Sequence, residues 1–261
     1  MNTNHRHKVS VGPGIDLSYL DRGQGDPLLF IHGFTGTATS HLGPLLARFE
    51  SSNRIIAPDL RGYGASRPPN RDFPPTFYER DAADMANLLD MLKCEPVVVL
   101  GFSDGAEVAI LLAATRPDLI RGVIAWGVSG VISAEELANV ERWLPVSSWG
   151  PERSAWKEAI IRNHGAEQFE PMINGWVSAA RTIYTNGGNI CYHQAAHVAC
   201  PVLLLNGDGE VGNTVRDVSA LAARIPNCQL VFIPNSSHAI QNDQPESLFQ
   251  AILRFLAPLN N

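Results

Sequence analysis

The sequence predicts an α/β fold: a mostly parallel, eight-stranded sheet with helices on both faces and a helical segment inserted after the sixth strand. Three observations predict it. Short apolar runs at 28–31, 55–57, 97–100, 123–126, 202–205 and 229–233 have the unbroken character of strands buried on both faces. Stretches with apolar residues at helical spacing alternate with them, the order that gives right-handed parallel crossovers. Residues 130–197 break that alternation with helical patterning alone.

In order, residues 9–19 alternate around Gly12-Pro13-Gly14 and read as an antiparallel hairpin at the sheet edge. The strand at 28–31 runs into His32-Gly33-Phe34-Thr35-Gly36, whose glycines let a loop turn its amides inward. His41 is expected to open the next helix, through 45–49, as a surface or capping residue. After strand 55–57, Asp59 and Arg61 are read as an ion pair ordering their loop, and Arg67-Pro68-Pro69 as an extended surface segment. Met85, Leu88, Leu89 and Leu92 recur at helical spacing and predict a helix over 78–93. Strand 97–100 is followed by a small-residue helix at 106–114 and by strand 123–126, which ends in Trp126, a residue that lines a pocket or packs.

The insertion holds helical patterns at 134–143, 153–163 and 169–184, with Trp143, Trp149, Trp156 and Trp176. A helical insertion there is expected to form a lid over the carboxyl ends of the strands, where such sheets bind ligands, its tryptophans divided between lid core and pocket wall. Strand 202–205 leads into Asn206-Gly207-Asp208-Gly209-Glu210. A helix at 216–225, strand 229–233, a loop bearing His238 and a helix at 247–256 complete the chain. The expected organisation is a core of 1–129 and 198–261 and a lid of 130–197.

The stretch 96–114 organises the rest. Gly101-Phe102-Ser103-Asp104-Gly105 fits G-x-S-x-G, in which a serine sits on a sharp strand-to-helix turn and projects its Oγ from the top of a sheet. Glycines flank it because a Cβ at either position would meet the strand or the helix. The plainer reading is a serine that only caps a helix. A nucleophile here needs an acid and then a histidine later in the chain, and His238, in the loop after the last strand, stands where an imidazole can reach the serine.

Composition limits the partners. The 261 residues carry a formal net charge of -6 and are 45% hydrophobic. With no Lys/Arg cluster, nucleic acid and anionic membranes are not expected as partners, and the basic run His5-Arg6-His7-Lys8 reads as a terminal tail. Residues 1–10 are polar and no apolar run approaches the roughly 18 residues of a membrane span, so a cytoplasmic location is expected. Cys94, Cys191, Cys200 and Cys228 lack C-x-x-C spacing and read as reduced packing residues.

These motifs resemble the α/β-hydrolase superfamily and, within it, the biphenyl hydrolase-like subgroup. The resemblance spans nearly the whole chain. It is carried by Arg61-Gly62-Tyr63-Gly64-Ala65-Ser66-Arg67-Pro68-Pro69, by Arg71-Asp72-Phe73-Pro74 with Glu79-Arg80-Asp81-Ala82, by the Ser103 elbow, and by Asn189-Ile190-Cys191 and Cys200-Pro201. It implies Ser103 as nucleophile and His238 as general base and acid. The acid of such proteins is usually an aspartate three residues beyond the glycine that ends its strand; counting from Gly207 gives Glu210, with Asp208 the alternative. It also implies an oxyanion hole of the backbone N–H groups of Phe34 and Asp104.

Asp104 departs from hydrolases in general. A carboxylate about 6 Å from a developing oxyanion opposes it by roughly 3 kcal/mol at an effective dielectric of about 20. In the subgroup, the matching aspartate recognises the α-ammonium of amino-acid esters; the alternative is a favourable charge at a helix N-terminus. Ala106 replaces a further glycine of the subgroup. The expectation is a serine hydrolase that cleaves carboxylic esters, foremost α-amino-acid esters, through an acyl-enzyme. Its substrate contacts are Asp104 and Trp126, it needs neither metal nor organic cofactor, and it is a monomer or small homo-oligomer. The alternatives are carbon-carbon bond hydrolysis of aromatic ring-cleavage products and a non-catalytic ligand-binding role.

Overall fold

A computed structural model describes residues 6–259. Its strands are β1 (His7–Gly12), β2 (Ile15–Arg22), β3 (Pro27–Ile31), β4 (Arg54–Pro58), β5 (Val97–Phe102), β6 (Ile120–Trp126), β7 (Val202–Gly207) and β8 (Cys228–Ile233). They form one sheet in the order β1-β2-β4-β3-β5-β6-β7-β8. The β1–β2 hairpin turns at Pro13-Gly14 and lies at the edge, antiparallel to β4 through β2. Every pairing from β4 to β8 is parallel.

The period of two along β5 divides the molecule into two cores. Val97 and Val99 pack on one face, with α2 (Phe77–Leu92), α3 (Asp104–Thr115) and α7 (Val215–Arg224). Val98, Leu100 and Phe102 pack on the other, with α1 (Gly43–Phe49) and α9 (Pro245–Leu256). Between β6 and β7 come α4 (Ala134–Glu141), α5 (Ser154–His164) and α6 (Ala166–Thr185), with no strand beyond an isolated bridge between Val131 and Asn189. A short helix, α8 (Ile240–Asp243), follows the His238 loop; no pattern in the sequence announces it. Among the described residues no helix is long and apolar enough to cross a membrane.

Three expectations need correction. The basic run is not a free tail: His7 and Lys8 begin β1, and Arg6 pairs with Asp59 at 2.8 Å, while His5 lies outside the described residues. Asp59 and Arg61 do not pair with each other. Asp59 also accepts the amides of Ala38 and Ala65, whereas Arg61 forms a two-pronged pair with Asp84 of α2 at 2.6 and 2.7 Å. His41 does not cap α1, whose N-cap is Leu42, and it is half-buried rather than freely exposed. Its ring packs edge-on against Phe102, with centroids 5.4 Å apart, and burial pushes its pKa down to about 3.

The loop between β4 and α2 clamps that helix twice. Besides Arg61, Arg71 grips Asp81 through two bonds of 2.7 and 2.9 Å; both side chains are almost fully buried, and Tyr63, Phe73 and Phe77 surround the guanidinium. Removing one partner of such a pair strands a buried charge. Asp81→Ala is expected to lower unfolding stability by about 3 to 5 kcal/mol, read from urea denaturation midpoints. A loss below about 1 kcal/mol would show that the pair is dispensable.

Candidate active site

Ser103 links β5 to α3 at φ 56° and ψ -125°. A non-glycine residue in this region stores about 1 to 3 kcal/mol of strain, and the surrounding backbone holds it there. A Cβ on Gly101 would come within 2.3 Å of the Gly105 carbonyl oxygen, and one on Gly105 within 2.3 Å of that of Ile31. Only glycines allow β3, β5 and α3 to meet this closely. His238 Nε2 lies 3.0 Å from Ser103 Oγ, and its Nδ1 lies 2.6 Å from Glu210 Oε2. The geometry fixes the neutral tautomer, with Nδ1–H donating to the carboxylate and Nε2 free to accept the serine proton.

Glu210 is the carboxylate in contact with this histidine, and Asp208 is exposed. Burial alone would raise the Glu210 pKa, but the bond from His238 and the amides of Gly212 and Asn213 outweigh it and hold the carboxyl below its ordinary value. Burial would lower His238; the bond to Glu210 and the negative charges of Glu210, Glu136 and Asp104 raise it instead. The extra methylene of glutamate is absorbed by the loop after β7, whose amides grip the other carboxylate oxygen, Oε1.

Asp104 is buried beside the serine. Its carboxylate accepts the Tyr78 hydroxyl at 2.8 Å and the Trp176 indole N–H at 3.0 and 3.2 Å. Among the described residues no lysine or arginine makes an ion pair with it. Burial pushes its pKa up to about 6, against those two donors and the Arg71 charge. Ser103, Asp104 and His238 open onto one cavity of about 260 Å³, with Phe34, Trp143, Trp176, Glu107 and Glu136 also in its wall. Glu107 is tied down by the amides of Ser129 and Gly130 and by the Cys191 thiol, and burial pushes it up to about 7. The cavity wall contains no Lys or Arg.

Phe34 forms the centre of an aromatic cluster: Trp143 stacks on it at 5.9 Å, Trp176 leans on it at 5.4 Å, and Trp156 meets its edge at 6.4 Å. The loop carrying Phe34 is pressed onto the elbow, since a Cβ on Gly33 would lie 2.8 Å from that of Ser103. Two buried, neutral histidines hold the loop. His32 donates from Nδ1 to the Gly33 carbonyl and accepts the Leu60 amide at Nε2, its pKa pushed down to about 3 by burial. His164, at the end of α5, accepts the Gly64 amide and donates to the Thr35 carbonyl, and Trp156 donates to the Thr35 hydroxyl. Trp126 does not reach the cavity. It is fully buried on the opposite sheet face, stacked on Phe102, with its indole donating to Gln241.

Sequence reasoning missed Tyr78, Glu107, Glu136 and the two histidines. The signal for Glu107 was a charge inside an otherwise apolar helix, which is rare without a partner; for Glu136 it was Ser133 three residues earlier, a capping-box spacing.

A sheet of this order, a serine on its strained elbow and a histidine–carboxylate chain behind it define a hydrolase, and a family profile agrees. The profile described as the alpha/beta hydrolase family matches residues 28–251, and the chain belongs to that family. Serine hydrolase BPHL of Homo sapiens is 36% identical over 204 residues, covering 77% of this chain and 69% of the human protein. The Mus musculus protein of that name is 31% identical over 234 residues, covering 88% and 79%. A thermophilic esterase from Thermogutta terrifontis superposes with a TM-score of 0.73 at 28% identity, covering 98% of this chain and 100% of the other.

The two candidate acids separate experimentally. A fluorophosphonate is expected to label Ser103. Glu210→Gln should slow labelling by roughly 10³- to 10⁴-fold, the effect of losing the carboxylate that fixes the imidazole tautomer, while Asp208→Asn should change it by less than about 3-fold. The reverse order would make Asp208 the working acid.

Proposed function

We propose that this hydrolase cleaves carboxylic esters of α-amino acids through an acyl-enzyme. The observation that carries the reading is the Asp104 carboxylate, buried without a cation in the cavity that holds Ser103 Oγ. Ser103 Oγ attacks the ester carbonyl as its proton passes to His238 Nε2, and Glu210 balances the imidazolium. The carbonyl oxygen takes the negative charge and accepts the N–H groups of Phe34 and Asp104. Collapse expels the alcohol, which takes the proton from His238. Water then repeats the sequence and releases the amino acid and free Ser103.

Asp104 selects the substrate in this reading. Its carboxylate opposes the oxyanion, and a bound ammonium screens that repulsion while gaining a charge-assisted contact. Tyr78 and Trp176 occupy part of the carboxylate and leave acceptor capacity toward the cavity. The 130–197 segment acts as the lid: α4 and α6 bring Glu136 and Trp176 to the wall, and α5 ties the segment to the Phe34 loop. Similarity to the BPHL serine hydrolases supports a serine mechanism, and similarity to the Thermogutta esterase supports an ester substrate. An acidic ring-cleavage product would meet a wall of carboxylates with no cation.

The test is a matched pair: phenylalanine ethyl ester and 3-phenylpropanoate ethyl ester, with Ser103→Ala as blank. A charge-assisted contact predicts a kcat/KM preference of roughly 10- to 100-fold for the amino ester, and Asp104→Asn should collapse that ratio toward 1. A ratio unchanged by Asp104→Asn would remove Asp104 as the selector. No turnover of either ester would overturn the esterase reading.

A further inference from the structure

Glu136 is a second carboxylate of the cavity with no ion-pair partner among the described residues. It occupies the third position of α4, after the cap Ser133, whose hydroxyl accepts the Glu136 amide at 3.1 Å. In a capping box the glutamate would reach back to the cap's own N–H. Here no such bond forms. The carboxylate instead turns onto the loop that carries Glu210, where Oε2 lies 2.3 Å from the place a Cβ on Gly212 would take and is shielded from solvent with no hydrogen-bond partner. An unsatisfied buried acceptor is costly, and the helix N-terminus offers a ready alternative, so the position calls for a donor that no described residue supplies.

The surroundings say what kind of donor. Glu210 is engaged by His238 and two amides, and Asp104 by Tyr78 and Trp176. Asn139, one turn along α4, lines the same cavity and adds an amide beside Glu136, and Val211 and Gly212 complete this side of the wall. Glu136 therefore faces negative groups on its neighbouring loop, the imidazole of His238, and no fixed cation. Burial and those like charges push its pKa up to about 7, which is the signature of a carboxylate lacking its counter-ion.

We infer that Glu136, with Asn139 beside it, forms a second cation subsite, so that the preferred ester carries two positive groups, one at Asp104 and an organic ammonium or guanidinium at Glu136. This rests on the amino-ester reading above. It deepens it by assigning the rest of the substrate: a side chain or leaving group that is charged rather than apolar. A cation bridging from the ester to the carboxylate of Glu136, which lines the cavity, would place opposite charges in contact away from bulk water, where such contacts are strongest.

The second charge has two possible sources, and two matched pairs separate them. Lysine and norleucine ethyl esters differ by a cation on the acyl side; the 2-(dimethylamino)ethyl and 3-methylbutyl esters of alanine differ by a cation on the leaving group. In one pair the dicationic member should be favoured in kcat/KM by roughly tenfold or more, and Glu136→Gln should bring that ratio near 1. Both rates are read on one protein, so any loss of folded enzyme cancels. Equal rates within both pairs, or a preference that survives Glu136→Gln, would overturn the subsite. If norleucine and alanine esters are not hydrolysed at all, the amino-ester reading has failed instead. Calorimetry on Ser103→Ala then tests the subsite without turnover: 1,5-diaminopentane should bind at least about tenfold more tightly than pentylamine, and Glu136→Gln should erase the difference. Equal binding of the two amines would reject the inference.

Discussion

A carboxylate buried at the first position of α3, beside a serine and with no cation in contact among the described residues, is the constraint around which the other elements are arranged. Burying such a charge costs several kcal/mol unless polar groups replace its water. The donors come from far along the chain: Tyr78 from α2 and Trp176 from α6. Each then has to be held. The Arg71–Asp81 and Arg61–Asp84 pairs fix α2 from the preceding loop, and the Phe34 cluster fixes Trp176 from below. The helix N-terminus adds its own favourable field. Together these leave Asp104 ionisable near neutrality and without an ion-pair partner among the described residues, the state that the proposed ammonium contact would use.

The same constraint reaches the loop carrying Phe34. Its carbonyls and hydroxyl are bound by His32, His164 and Trp156, the last two of which belong to α5. Buried imidazoles kept neutral can donate at one nitrogen and accept at the other without adding charge to a site already lined by Asp104, Glu107, Glu136 and Glu210. The inserted segment is thereby tied to the loop whose amide is proposed to receive the oxyanion.

Much of this was legible in the sequence where the signal is local. The parallel strands, the elbow and His238 follow from apolar runs, a five-residue motif and chain order, whereas Glu210, the carboxylate that lies against His238, was reached only through the family resemblance, with Asp208 left open beside it. What failed was non-local or a matter of parity. Asp59 and Arg61 are two residues apart, yet their partners lie at Arg6 and Asp84, which no local spacing reveals. Tyr78 and Trp176 are 26 and 72 residues from Asp104. Trp126 was open to better reading: alternation along β6 puts it with Ile124 on the face away from the cavity, opposite Val123 and Ala125. His41 looked like a surface residue because a histidine near a helix start usually is; only packing against Phe102 shows otherwise.

The central claim is that Asp104 in its charged form selects a charged ammonium group, and the pH dependence of selectivity tests it most directly. The quantity to measure is the ratio of kcat/KM for phenylalanine ethyl ester to that for 3-phenylpropanoate ethyl ester between pH 5 and 9. His238 and Glu210 serve both esters, so their ionisations cancel in the ratio. Asp104 must lose its proton, at about 6, and the substrate amine must keep its own, with a reference value of about 7.7 to 8.0. The ratio should therefore rise through the first and fall above the second, giving a bell. A ratio that stays flat across the range would contradict the account.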